Sequence, residues 1–428
     1  MMLYLLSFIF LLLPFTELKV INIKVYEFFY LLIITIFVVS RRNSISTTKY
    51  YNKYLVMLHL FIMSVLLTSI SSFGGKFYIP SSVMGLLNKP IIITFARMIQ
   101  IVIAVYISFF VYYIISKNKK YFIKGIYYYL IVGAFVCCLG LISLITNSIL
   151  GEDLLFGAYN GRIRGTFIEG GPFGIYVVSL ILMTNLYFSL TEKSMNWKLV
   201  CLAFFGIIIV LTQSKAAFLL LIVLYIISLF VSQKNRLIKL CLIGIFMLGS
   251  IGFIGNGLQG YYHDYQNAEQ ILKTERKTDN NFVMGRIAAS HIVPNMIQDN
   301  PINGIGLGNY PLVRNNPEYR KSFPAVANWD LTGLGLVDVI VEVGIPIALF
   351  FIVILSLPFY LCFKLKLDIN ISRIALFQLL AHCFGVQVTF IYPWIVTAFV
   401  FAYMRIYPGE INQELVPREI ILKEGGMK

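Results

Sequence analysis

Charge is what this sequence has least of. Only 13% of its 428 residues are Asp, Glu, Lys or Arg, while 58% are hydrophobic and the mean hydropathy is +0.80. Soluble domains carry about 25% charged residues. So few charges cannot cover so apolar a core in water, and lipid must be the covering solvent. No stretch is polar enough to form a separate soluble domain, and no internal repeat or low-complexity tract is visible. Histidine is scarce and scattered: His59, His263, His291 and His382 lack ligand spacing such as His-Glu-x-x-His, so neither a metal nor a cofactor is expected. The six cysteines lie within or beside apolar runs, where a thiol behaves as a small hydrophobe, so no disulfide framework is expected. A phosphate-binding Gly-Lys-Ser/Thr loop and a Gly-x-Ser-x-Gly elbow are both missing, which argues against a nucleotide-driven enzyme and a soluble-type hydrolase.

Acid is scarcer than base, with 20 Asp and Glu against 35 Lys and Arg, a net charge of +15. Such an excess suits nucleic acid or topology. The basic residues sit in short loops between apolar runs, so the topological reading is preferred and no nucleic-acid partner is expected.

What the chain does have is apolar runs near the length that crosses a bilayer. They fall at 2–18, 24–40, 55–72, 91–115, 124–146, 171–190, 198–212, 216–232, 237–254, 333–357, 372–390 and 394–408. The sequence therefore predicts an all-α integral membrane protein with about 12 transmembrane helices. The first run has no basic flank or cleavage site and reads as a retained helix. With the N-terminus inside, Arg41, Arg42, Lys49, Lys53, Lys117, Lys119, Lys120, Lys124, Lys193, Lys198, Lys364, Lys366 and Arg405 all fall in cytoplasmic connections or the tail. The predicted organisation is a bundle over 1–254, a large periplasmic loop over 255–332, last spans over 333–408 and a cytoplasmic tail over 409–428. Within the loop, Val283 to Asn300 reads as an amphipathic helix with Ala289, Ile292, Val293, Met296 and Ile297 on one side, and Pro294 as a kink or break. Two placements are open, in the headgroup plane or as a cap on the bundle.

A charge beside or inside a bilayer is a functional candidate by default. Arg97, inside the fourth run, either snorkels to the headgroups or lines a polar cavity facing phosphate. The segment 161–174 sets Arg162, Arg164 and Glu169 among five glycines at the mouth of the sixth run, a flexible rim where backbone approaches a ligand closely. Arginine suits phosphate because its planar fork donates two hydrogen bonds at once; the same glycines also serve as turn and packing residues. Lys215, in the tight turn after Thr212, either anchors a helix end or walls a cationic cavity with Arg164 and Arg286. The glycine-rich stretch 300–310, ending at Asn309 and Tyr310, is first a turn and close-packing signal. Asp330, Asp338 and Glu342 follow. Asp338 and Glu342 share a helix face and either supply a general base or pair with arginines to hold the bundle.

The ordered set formed by Arg162-x-x-Gly165-x-Phe167, Leu211-Thr-Gln-Ser-Lys215, Gly285-Arg286, the Asn300 to Asn309 stretch and Glu342-Val-Gly-Ile-Pro346 resembles the O-antigen polymerase (Wzy-type) and O-antigen ligase superfamily. The resemblance covers about 150–350; the first third is similar in hydropathy only. It implies a GT-C-like glycosyltransferase bundle with a large periplasmic loop, in a bacterial inner membrane. It further implies undecaprenyl-pyrophosphate-linked oligosaccharide as donor and acceptor, and a chain-length regulator as an additional protein partner. Pyrophosphate contacts carry over to Arg164, Lys215 and Arg286; Arg97, Arg162, Glu169 and Asn309 are further candidates, from the residues themselves, for pyrophosphate or glycan contact. Arg286, Asp330, Asp338 and Glu342 are the catalytic candidates. The ligases' histidine has no counterpart in Ala327 to Gly335, which favours polymerase over ligase. A lipid-linked oligosaccharide flippase is the alternative from another class.

Overall fold

The computed structural model describes residues 2–15, 19–20, 23–40, 47–82, 85–150, 158–159, 161–167, 169–191, 193–231, 262–274 and 280–407. Helix dominates. Strand among the described residues is confined to two small antiparallel ladders, Lys19–Val20 with Ile23–Lys24 and Ala158–Tyr159 with Arg162–Ile163. Six helices are long and apolar enough to cross a membrane: Lys49–Gly74, Pro90–Ile115, Lys119–Ile149, Gly170–Thr191, Met195–Thr212 and Ile345–Lys364. Five shorter apolar helices, Met2–Leu12, Val25–Phe37, Lys215–Ile227, Ile369–Cys383 and Ile391–Ile406, pack among them. The run expected at 237–254 and the tail at 409–428 lie outside the described residues.

One expected run is corrected. Residues 333–357 do not form a single span: a short helix, Leu336–Val343, ends at Gly344, and the long helix starts afresh at Ile345. Gly344 has φ 84°, and a Cβ there would stand 1.9 Å from the Ile302 carbonyl oxygen, so only glycine fits this break. The acids of this run therefore sit before the long helix and outside its apolar length.

Several polar groups inside the bundle find partners on neighbouring helices, which lipid favours. Tyr129 Oη and Ser179 Oγ are 2.7 Å apart, Tyr30 donates to the Ile9 carbonyl (2.8 Å), and Ser108 donates to the Trp394 carbonyl (2.7 Å). Packed rings fill much of the remainder, among them Tyr51 against Tyr112 and Phe401.

The bundle has two unlike ends. One carries Lys49, Lys117, Lys119, Lys193, Lys364 and Arg405 at helix termini and short turns. The other carries the long connections, which build a cap with its own small core. There the apolar side of the Arg286–Asp299 helix, including Ile292, Val293 and Met296, is buried with Tyr310, Val313, Phe323 and Val341. That burial makes the helix part of the cap, with its apolar face turned inward and not free for headgroups. The helix also runs through Pro294 without a break.

Candidate functional site

The cap is pinned to the bundle by its glycine-rich stretch. Ile305 and Gly306 donate backbone N–H groups to the carbonyls of Val341 and Glu342 (both 2.9 Å), while Thr94 Oγ1 donates to the Leu307 carbonyl (3.0 Å). Gly308, at φ 77°, lies so close to Arg97 that an added Cβ would meet its Cγ at 2.7 Å. Close approach of backbone is thus what brings the Arg97 helix up to the Glu342 helix.

A narrow cavity of about 70 Å³, room for a few waters, opens at this junction. Arg97, Thr332, Asp338, Glu342, Gln387 and Thr389 are among its lining residues. Arg97 does not turn away to the headgroups. Its Nη1 donates to Gln100 Oε1 (3.1 Å), Gln100 Nε2 donates to Glu27 Oε1 (2.9 Å), and Lys24 Nζ lies 3.9 Å from the same carboxylate oxygen. This arm fixes one edge of the guanidinium. Sequence reading passed over Glu27 and Gln100, although a lone acid in the 24–40 run and an amide three residues after Arg97 were the available signals.

Asp338 and Glu342 stand together on the cavity wall, as their spacing predicts. Asp338 accepts hydrogen bonds from Thr332 Oγ1 and from the Leu334 N–H. Desolvation raises its pKa to about 6, against the lowering effects of these bonds and of the Arg286 charge. Desolvation likewise raises Glu342 to about 8, opposed by the Gly308 N–H and by Arg97 and assisted by Asp338. Neither acid forms an ion pair among the described residues, so they are not spent on holding the bundle together.

Beside this pocket lies a wider cleft of about 510 Å³, lined by Arg162, Arg164, Lys215 and Arg286, with Glu169 the one acid among its described lining residues. Local folding explains how these residues gather. Arg162 reaches across to the Thr212 and Gln213 carbonyls (3.1 and 3.4 Å), tying the 161–174 rim to the next helix turn. Gln213 takes a left-handed conformation, φ 50°, which reverses the chain so that Lys215 begins the following helix at the same rim. Arg286 is exposed at the first turn of its helix, and a Cβ on Gly333 would come within 3.3 Å of its Nε. It therefore belongs to the cleft by lining and to the carboxylate pocket by its field on Asp338. No ion pair with a carboxylate engages Arg286 or Lys215 among the described residues.

Two sequence candidates lie elsewhere. Asp330 is buried and committed: it accepts from Arg314 Nε (2.8 Å) and from the Gly285 N–H (2.8 Å). Burial pushes its pKa up, with Arg314 the largest opposing influence. It lines neither cavity and acts as a cap fastener, placing Gly285 and hence Arg286. Asn309, fully buried, donates to the Ile305 carbonyl (3.2 Å) inside the glycine-rich turn and likewise faces neither cavity. Sequence reading overlooked Arg314, which is fully buried and also donates to the Val283 and Pro324 carbonyls and to Asn315.

In comparison with known families, residues 200–352, a little over a third of the chain, match the family model described as O-antigen ligase. No curated protein matches the chain. The matched stretch contains Lys215, Arg286, Asp338 and Glu342, whereas Arg97, Arg162 and Arg164 precede it. This similarity supports the O-antigen polymerase and ligase superfamily and does not separate polymerase from ligase.

Proposed function

We propose that the protein is a membrane glycosyltransferase that polymerises undecaprenyl-pyrophosphate-linked oligosaccharide repeat units into O-antigen or a related surface polysaccharide. The observation that carries this reading is the position of Arg286, shared between a cleft with four cations and a pocket with two acids of raised pKa.

In this reading the cleft binds the donor pyrophosphate, and the acceptor hydroxyl enters the carboxylate pocket. The hydroxyl oxygen forms a bond to the anomeric carbon as the bond from that carbon to the pyrophosphate oxygen breaks. Glu342 takes the hydroxyl proton, and the cations stabilise the charge building on the departing pyrophosphate. The sugar–pyrophosphate bond supplies the driving force, so the reaction calls on no nucleotide, and the arginines supply the positive charge that a metal brings elsewhere. In this reading the basic end of the bundle faces the cytoplasm and the cap faces the periplasm of a bacterial inner membrane, in keeping with the preference of Lys and Arg for the non-translocated side.

Polymerase is favoured over ligase because Ala327 to Gly335 holds no histidine. Purified protein reconstituted with lipid-linked repeat units and EDTA tests the proposal. Products of rising length support it; transfer of glycan only to an added lipid A-core supports the ligase; translocation without a new glycosidic bond supports a flippase and defeats the proposal. In cells, loss of the gene leaves single-repeat caps for a polymerase and no caps for a ligase.

A further inference from the structure

A third cavity, of about 360 Å³, opens in the cap between the end of the Lys49–Gly74 helix with the residues just after it and residues 300–319. None of the residues lining the cationic cleft reaches it. Its walls mix hydrogen-bonding groups with rings. Lys76 and Glu318 are exposed on it, and no ion pair joins them among the described residues. Asn316 is 5% exposed; its Oδ1 accepts the Glu318 N–H (3.1 Å), while its amide nitrogen bonds no described residue. Asn300 is the complement: its side-chain nitrogen donates to the Met296 carbonyl and to Tyr319 Oη (both 3.3 Å), leaving its side-chain oxygen Oδ1 free of a described partner. Phe77 and the half-buried Tyr319 supply aromatic surface.

Each of these features discriminates between ligand classes. One cation facing one acid does not suit pyrophosphate, and so polar a wall does not suit a polyprenyl tail. Donors and acceptors in similar number, beside aromatic rings, suit sugar hydroxyls, which both donate and accept, and the apolar C–H face of a sugar ring. The floor also connects to the reaction centre. Gly304 and Ile305 line this cavity, and the same strip continues into Leu307 and Gly308, which line the carboxylate pocket. That strip is bonded directly to the Val341 and Glu342 carbonyls.

We propose that this cavity is an oligosaccharide subsite, holding sugars of the substrate at a distance from its pyrophosphate. The proposal rests on the glycosyltransferase reading and extends it. Full-length protein in nanodiscs would be titrated separately with inorganic pyrophosphate and with the oligosaccharide released by mild acid from the host's own lipid-linked repeat unit. The combined Lys76→Ala, Glu318→Gln variant is expected to weaken oligosaccharide binding about tenfold. Pyrophosphate affinity should be unchanged, and KM in the polymerisation assay should rise while kcat holds. Tyr319→Ala should weaken sugar binding further, and Tyr319→Phe, which keeps the ring, should restore most of it. Unchanged sugar affinity in the combined variant overturns the subsite. Loss of sugar binding in Arg286→Ala alone, with the combined variant unaffected, also overturns it by placing the sugars in the cleft. Wild-type protein that forms no glycosidic bond from lipid-linked units defeats the glycosyltransferase reading itself, a separate outcome from either of these.

Discussion

The cationic cleft and the carboxylate pocket adjoin each other across Arg286, yet they are built in opposite ways. The cleft is wide and set on turns, with Lys215 and Arg286 exposed at the first residues of helices. The pocket is narrow and set on packed helix faces, and its acids lie deep enough for desolvation to raise both pKa values. Binding a dianion needs access and several donors; holding a base that works near neutral pH needs burial. One site could not satisfy both demands, and on the proposed function they fall to two cavities linked by the Arg286 charge, which lines the cleft and acts on Asp338 in the pocket.

The sharpest way to break this division is at its hinge. Arg286→Ala should abolish long chains while the protein still inserts, with turnover down on the order of 10²–10³-fold, as for loss of one charge-stabilising donor. Chain-length ladders on gels report it, and normal ladders defeat the assignment. Nearly as large is the loss expected from Glu342→Gln, about 10²-fold or more in kcat, since the amide keeps the shape but accepts no proton. The pH dependence sharpens the same point. A base must be ionised to act, so kcat/KM should rise with pH and level off above about 8, the pKa of Glu342. Arg97 holds that pKa down, so Arg97→Gln should move the rising limb to higher pH. A flat profile removes Glu342 as the base.

Away from both cavities, Arg314→Ala should cost about 3–5 kcal/mol by leaving Asp330 a buried, unpaired charge. Thermal unfolding in detergent measures it, and the loss should appear as stability ahead of any change in pyrophosphate affinity. The smallest effect belongs to Lys215, one of four cations. Lys215→Ala should weaken pyrophosphate binding by about three- to tenfold, and Lys215→Arg should equal or exceed wild type because its fork donates twice.

How much of this was legible in the sequence differed between the two cavities. The cleft was readable residue by residue, because arginines and a lysine beside glycines at the ends of apolar runs stand out against a chain with so few charges. The pairing of Asp338 with Glu342 followed from helical spacing alone. The break at Gly344 was hidden inside a continuous apolar run, where hydropathy registers no turn. Asp330 and Asn309 misled because a polar residue near a predicted site carries no sign of whether it faces inward. Asp330 is explained by Arg314, sixteen residues away in sequence, and by the Gly285 N–H, neither visible as its partner until the cap folds. The arm from Arg97 to Glu27 needed the contact between two helices, which no single run encodes.

On the proposed function, Arg164 and Arg286 meet in one cleft open to the periplasm. In a background with the six native cysteines replaced, Arg164→Cys and Arg286→Cys would be probed in intact cells with a membrane-impermeant thiol reagent and then with a short bifunctional crosslinker. Both positions should label from outside, and the pair should crosslink within one chain. Labelling only after the inner membrane is breached, or two labelled positions that no short linker joins, would contradict it.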